Sequence, residues 1–329
     1  MVTGTDGVAP YPPTDGKPFD RQLLAQSLGL PKLAREDAAL RRHYPFSSRL
    51  FSSPGGLYHY IDEGKGETVV MLHGNPTWSF FYRRLVKDLS PRFRCLVPDH
   101  LGCGLSEKPA DPGCFTLEKH IDNLEAWLAA VAPPAGNGPD LNLVVHDWGG
   151  PIGLGYALRH PGRIRRLVVF NTSVFTRGDL SWRIKICRFP WLGDFLVRDL
   201  NLFVLGAGRL TVKTPLTPEV RRLFALPYSN RAARVGVAGF IRDIPFDRDS
   251  PTGQLLGKID QSVHPAFHDI PVLIQWGSQD WCFTPFFLEL WRERLPQAEV
   301  DVYPAGHLLL EDAGEDISRR VSSFLAGPR

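Results

Sequence analysis

The chain holds 329 residues, 43% of them apolar and 22% charged, and its 31 glycines and 29 prolines stay below the combined share of roughly 25–30% at which disorder becomes the better reading. Lysines and arginines number 38 against 35 acids, a formal net charge of +3 with no block of like charge, which points to neither nucleic acid nor an anionic membrane as partner. Five scattered cysteines without a C-x-x-C pair read as free thiols, and neither a signal-peptide pattern nor an apolar run near the ~20 residues of a membrane span is visible, so a cytoplasmic protein without a transmembrane segment is expected.

Residues 1–45 read as a flexible tail followed, from 21, by short surface helices, with no chemistry expected of them. From 48 the pattern changes. Leu57–Ile61 alternates around Tyr58 and Tyr60 as an antiparallel strand would, and Thr68–Leu72 is an apolar run that predicts a strand covered on both faces. A helix over 79–89, a strand over 94–98, a helix over 116–131, a strand over 141–145, a helix over 149–159 and a strand over 165–170 follow. This alternation at βαβ spacing predicts a mostly parallel, doubly wound α/β sheet. The rhythm stops over 172–263, where amphipathic segments broken by Pro190, Pro215, Pro218 and Pro227 predict an inserted helical cap. It resumes with a strand over 272–276, a helix over 286–294, a strand over 299–303 and a helix over 316–325. The core is therefore expected in two pieces, 46–171 and 264–329, flanking the cap.

Three residues fall beyond the carboxyl ends of predicted strands, where an open parallel sheet places its ligands: Asp147, Asp280 and His307. Asp147 follows the apolar run 141–145 and precedes Trp148-Gly149-Gly150 and a helix. Strand, sharp turn and helix in that order describe a nucleophile elbow, in which small residues permit the turn and one side chain is thrust into the site. Aspartate is an anion at neutral pH, with an ordinary pKa near ~3.9, so it can attack carbon without a base; only hydrolysis of the resulting ester needs one.

His73-Gly74-Asn75-Pro76, Pro98-Asp99-x-x-Gly102-x-Gly104-x-Ser106, the elbow His146-Asp147-Trp148-Gly149-Gly150 and Gly277-x-x-Asp280 resemble the motifs of the α/β-hydrolase fold, and of the haloalkane dehalogenases within it, over nearly all of 46–329. The resemblance implies Asp147 as nucleophile, His307 as base, Asp280 as the acid orienting it, and Asn75 with Trp148 as the pair that holds a departing halide. The backbone N–H groups of Asn75 and Trp148 would form the oxyanion hole of the second step. The expected activity is cleavage of carbon–halogen bonds in a small apolar substrate, without metal or organic cofactor. The run Val97–Ser106 and the stretch 144–147 also resemble the third dehalogenase subfamily, which includes olefin-forming β-lactone decarboxylases, and the motifs do not separate the two substrates.

Rival residues are Asp301 and Asp269 for the acid and His264 and His268 for the base. Asn171 stands where another dehalogenase subfamily places its acid, which favours Asp280. An epoxide hydrolase needs two cap tyrosines, and Tyr228 is the one tyrosine between 172 and 268. Asp99, Gly102 and Gly104 are expected to shape a turn and His146 to make a local hydrogen bond. Phe175, Trp182, Phe189, Trp191, Phe195, Phe203 and Phe224 serve equally as packing or as pocket lining, and oligomeric state is not legible.

Overall fold

The computed structural model describes residues 37–136, 138–176, 181–245 and 247–327; the expected tail lies outside them. Among these residues eight strands make one sheet: β1 (Arg49–Ser53), β2 (Gly56–Glu63), β3 (Glu67–Leu72), β4 (Phe93–Pro98), β5 (Leu141–Val145), β6 (Ile164–Phe170), β7 (Val272–Gly277) and β8 (Glu299–Tyr303). Their spatial order is β1-β2-β4-β3-β5-β6-β7-β8. The β1–β2 and β2–β4 pairs are antiparallel and the rest parallel. In β5 and β7 every residue is buried, the condition of a parallel strand with helices on both faces.

Helices α1 (Asp37–His43), α2 (Arg83–Leu89), α3 (Leu117–Val131) and α4 (Gly149–Arg159) precede the insertion. The helix expected over 79–89 opens as a 3₁₀ turn at Ser79–Tyr82 before α2. The longer helices described between β6 and β7 are α5 (Trp182–Cys187), α6 (Leu202–Leu210), α7 (Pro218–Ala225), α8 (Val235–Asp243) and α9 (Pro251–Phe267). They are followed by α10 (Pro285–Arg294) and, after β8, by α11 (Gly314–Leu325). Leu85, Val86 and Leu89 of α2 share one apolar core with Ile317, Val321 and Phe324 of α11, on one face of the sheet. Ile121, Leu124 and Leu128 of α3, Ile152 and Leu154 of α4, and Ile259 and Val263 of α9 form the core on the other face.

Three expectations meet a different structure. Leu57–Ile61 is buried throughout rather than alternately, because both of its faces are covered: Tyr58 and Tyr60 lie 6.1 and 5.4 Å from the Trp127 ring, while Leu57 and Ile61 pack on the opposite side. Helix α9 runs unbroken through the boundary expected between 263 and 264. It opens on a Ser250 cap and carries Pro265 only in its last turn, and its apolar stripe belongs to the core. Finally, α1 is more than a surface helix. Leu40 and the adjoining Tyr44 are fully buried, the Tyr44 hydroxyl lies 2.6 Å from Ser79 Oγ, and Arg42 bonds Glu219 of α7 at 2.8 Å.

Candidate active site

The carboxyl ends of β3, β5 and β6 lie level, with Leu72 opposite Val145 and Val145 opposite Val169, so the residues just beyond them meet at one edge. Asp147 sits there with φ +51°, a left-handed conformation that costs a non-glycine residue of order 1–3 kcal/mol and that the surroundings must hold in place. They do so by close packing. A Cβ on Gly149 would stand 2.0 Å from the Leu72 carbonyl oxygen, and one on Gly150 would stand 2.1 Å from Thr172 Oγ1. The Asp147 N–H donates to the Asn171 carbonyl at 3.1 Å, and Thr172 Oγ1 donates to the Asp147 carbonyl at 2.5 Å. Gly74 approaches from β3 so closely that a Cβ there would lie 1.9 Å from Asp147 Oδ1. The elbow is thus a fitted backbone turn, and its glycines are what let the carboxylate stand clear of the sheet.

Asp147, Asp280 and His307, 160 residues apart at the extremes, converge at that edge. His307 Nδ1 lies 2.8 Å from Asp280 Oδ2, and His307 Nε2 faces Asp147 Oδ2 at 3.5 Å. Asp280 is itself fixed by the Cys282 N–H, which donates to Oδ1 at 2.6 Å. The end of β7 comes against the His307 loop where a Cβ on Gly277 would meet the Gly306 carbonyl oxygen at 2.3 Å. Burial drives the Asp147 carboxyl above its ordinary value, against the pull of His307 and of the N–H groups of Trp148 and Asn75. For His307 burial works downward but is outweighed by Asp280 and Asp147, so its pKa is raised above 6.5. The imidazolium between two carboxylates is the arrangement in which a histidine holds its proton longer.

The other oxygen of Asp147 faces hydrogen-bond donors. The Asn75 N–H donates to Oδ1 at 2.7 Å, and the Trp148 N–H bonds the same carboxylate. The side-chain amide of Asn75 donates one hydrogen to the Val237 carbonyl of α8 at 3.1 Å. Both Asn75 and Trp148 line the cavity. That cavity has a volume of about 690 Å³ and runs from Asp147 and His307 past Phe175, Phe203, Ile241, Leu256, Phe283 and Phe287 to helices α5 and α6.

The rival residues are elsewhere. Asp301 accepts from Gln275 and Arg320, His268 pairs with Asp269 at 2.9 Å on the surface, and His264 stacks on His268. Asn171 bridges β6 to β7, donating to the Gly277 carbonyl at 3.0 Å and accepting from its N–H at 2.7 Å. Tyr228 does not line the cavity; its hydroxyl donates to the Thr77 carbonyl at 3.2 Å and accepts from the Gly104 N–H at 3.1 Å. Of the seven cap aromatics, Phe175, Trp182 and Phe203 line the cavity, Phe224 packs edge-on against Phe80, and Phe189, Trp191 and Phe195 are exposed. His146 bonds across the site rather than locally, its Nε2 2.9 Å from the His307 carbonyl oxygen.

Two features went unread in the sequence. Asp99 does more than shape a turn: fully buried, it lies 2.9 Å from His59 Nδ1 and accepts from the N–H groups of Ser79 and Leu105. Its neighbour His100 donates its N–H to His73 Nε2 at 3.0 Å, which ties the loop bearing Asn75 to β4; the paired histidine-bearing motifs were the available signal. The loop after Asp280 brings Cys282 and Phe283 to the cavity, with no signal beyond their proximity to Asp280. Among the described residues the one grouping with metal-ligand chemistry is Asp280, Cys282 and His307, in which Asp280 and His307 already spend Oδ2 and Nδ1 on each other.

A mostly parallel eight-stranded sheet, an elbow on its fifth strand and an acid–histidine pair on the last two strand ends define an α/β-hydrolase, and the family model described as alpha/beta hydrolase fold matches residues 67–314: the chain belongs to that family. Within it the chain falls among the haloalkane dehalogenases and their decarboxylase relatives. It is 43% identical to a cis-3-alkyl-4-alkyloxetan-2-one decarboxylase of Shewanella oneidensis over 85% of this chain and 89% of that protein. It is 32% identical to haloalkane dehalogenase 2 of Mycobacterium tuberculosis over 84% of this chain and 94% of that one. The crystal structure of the haloalkane dehalogenase DatA from Agrobacterium tumefaciens superposes with a TM-score of 0.74 at 27% identity, covering 84% of this chain and 96% of that chain. Relatives on both sides are enzymes, and so is this chain. Among the described residues no helix is long and apolar enough to cross a membrane.

Proposed function

We propose that the chain decarboxylates cis-3,4-dialkyl β-lactones to cis-alkenes, with Asp147 as nucleophile. The observation that carries this reading is the capacity of the apolar cavity that ends on Asp147. At about 690 Å³, and with roughly 30 Å³ for a group the size of water or methylene, it takes on the order of twenty such groups. A four-carbon haloalkane would leave most of it empty. The decarboxylases of Shewanella oneidensis and Xanthomonas campestris, 43% and 41% identical to this chain, carry a dialkyl oxetan-2-one in their names, which supports the same substrate class here.

The chemistry follows from displacement at carbon. Asp147 Oδ2 attacks C4 of the lactone, the C4–O bond breaks, and its electron pair stays on the ring oxygen as a carboxylate. An alkyl ester of Asp147 results, with that carboxylate on C3. The Asn75 amide and the Trp148 indole, donors suited to a departing halide, receive its oxygens instead. The C3–carboxylate bond then breaks, its pair forms the C3=C4 double bond, and the C4–Oδ2 pair returns to Asp147 as carbon dioxide leaves. Atoms and charge balance without water or a net proton. Attack inverts C4 and sets Oδ2 antiperiplanar to the carboxylate, so anti elimination turns the cis-lactone into the cis-alkene. The N–H groups of Asn75 and Trp148 on Oδ1 favour the returning carboxylate.

A second reading rests on the Asn75 and Trp148 donors themselves and on the 32% identity to haloalkane dehalogenase 2. The first step is then displacement of halide, and His307, oriented by Asp280, takes a proton from the water that hydrolyses the ester. Purified protein incubated with a long-chain cis-β-lactone, 1-bromobutane and 1,2-dibromoethane, followed by gas chromatography for alkene and by halide titration, tests both. Alkene from the lactone is expected; bromide release with an untouched lactone would replace the first reading by the second.

A further inference from the structure

We propose that the cap face around the cavity mouth docks on an anionic lipid surface. The balanced charge of the whole chain hides an uneven distribution. Residues 181–213 carry six lysines and arginines against two aspartates, an excess of four positive charges; Asp194 pairs with Arg198 of the same stretch, and Asp199 with Arg231. The same stretch exposes large apolar side chains: Trp191 is 88%, Trp182 67%, Phe189 61% and Phe195 50% exposed. Monomeric soluble proteins seldom present so many together, and contiguous apolar surface marks an interaction site.

The arrangement selects lipid among possible occupants. Trp182 and Ile186 stand four residues apart on α5, and Leu202, Leu205 and Arg209 occupy positions i, i+3 and i+7 on α6, so exposed apolar stripes run beside cations on both helices. Indole side chains with interleaved cations are the composition of a surface that enters the headgroup region, apolar atoms inward and cations on phosphate. Trp191, the most exposed of these side chains, is presented with φ +48°, a backbone conformation that tryptophan seldom adopts. Trp182, Ile186, Leu202 and Leu210 are exposed and also line the cavity, so the apolar surface is continuous with the mouth. A docked cap would open the cavity into the acyl layer, a direct path for an apolar molecule that water would not carry. A second copy of the chain is the poorer occupant, since an isologous contact would set this cationic face against itself.

The test is co-sedimentation of the full chain with vesicles of phosphatidylcholine alone or with about 30 mol% phosphatidylglycerol, at about 0.1 M and about 0.5 M salt. Binding is expected on the anionic vesicles at low salt and is lost at high salt. Arg209→Gln and Lys213→Gln should each weaken it about fivefold. Phe189→Ser with Trp191→Ser should weaken it about tenfold or more while circular dichroism stays that of the parent chain. Brominated lipid should quench tryptophan emission in the parent and less in Trp191→Phe. Failure to bind anionic vesicles, or equal binding to neutral ones, overturns the proposal. So does a concentration-dependent dimer abolished by the Phe189 and Trp191 changes, which would assign the face to a second copy.

Discussion

Replacing His307 by alanine separates the two proposed reactions. In ester hydrolysis the imidazole must take a proton from water, and general bases supply about 10²–10⁴-fold, or roughly 3–5 kcal/mol. With bromobutane the variant should therefore release one equivalent of bromide in a burst and stop, leaving a butyl ester that intact-mass measurement and peptide mapping place on Asp147. Elimination from the lactone-derived ester moves no proton, so His307 contributes only charge. Across its 3.5 Å separation from Oδ2 an imidazolium attracts the free carboxylate by about 5 kcal/mol at an effective dielectric constant of about 20. That attraction is present before attack and after release, so its loss speeds attack and slows elimination; with only part of the charge back on Oδ2 in the transition state, alkene turnover should fall by about tenfold, and the ester should build up only as a species that still decays to alkene. The assay is a parallel time course of halide and alkene on one preparation. A fall in alkene formation as deep as the fall in bromide turnover, or a stalled carboxyalkyl adduct, would refute the elimination scheme even if the lactone is the true substrate.

Trp148→Phe, which keeps most of the packing against Phe240, should cost roughly 2–4 kcal/mol of transition-state stabilisation, a 30- to 1000-fold loss of rate; an unchanged rate and unchanged bromide affinity would remove the indole from the anion site. Gly74→Ala drives a methyl group into Asp147 Oδ1, so activity should drop by about 10²-fold or more in a chain whose thermal melt still shows one cooperative transition; wild-type rates would mean that the loop yields easily. Since the His307 pKa is raised, hydrolysis of bromoalkanes, which needs the neutral ring, should rise with pH to a midpoint above 6.5, read from a pH–rate profile; a midpoint below it would contradict the paired geometry. At Asp99 burial pushes the carboxyl up, but His59, His73 and backbone donors prevail and leave it at about 2. A depressed folded-state pKa stabilises above the unfolded value near ~3.9, so about 2 kcal/mol should be lost between about pH 4 and pH 2, and Asp99→Asn should flatten that limb in denaturant titrations.

What a linear reading recovers here depends on how locally each feature is encoded. The strand at 141–145 and the glycines at 149 and 150 state the elbow within ten residues, because the turn's sterics are local. Asp280 and His307 were legible as strand-end residues, although their 2.8 Å pairing is a tertiary fact. β1 was not foreseen, since its Arg49–Ser53 run is short, polar and at the sheet edge, where no strong pattern is imposed. In the sequence Tyr228 is only the one tyrosine between 172 and 268; the fold shows it buried beneath the loop at 77. The even charge of the composition likewise gave no hint of the cation excess over 181–213, because a sum over the chain erases position.

The contact between α8 and the loop after β4 bears on how such enzymes recombine. Gly102 and Gly236 meet backbone to backbone, closely enough that a Cβ on Gly236 would lie 2.4 Å from the Gly102 Cα, and a few ångströms of chain away the Val237 carbonyl anchors the Asn75 amide. At this point the seam between insertion and sheet is made of main chain, which no compensating side chain can rebuild. Grafting a foreign lid onto this scaffold, or this lid onto another, would have to transplant that glycine pair and the carbonyl beside it as one unit. Shuffling at the obvious loop junctions would instead yield folded chimaeras in which the Asn75 amide has lost its support.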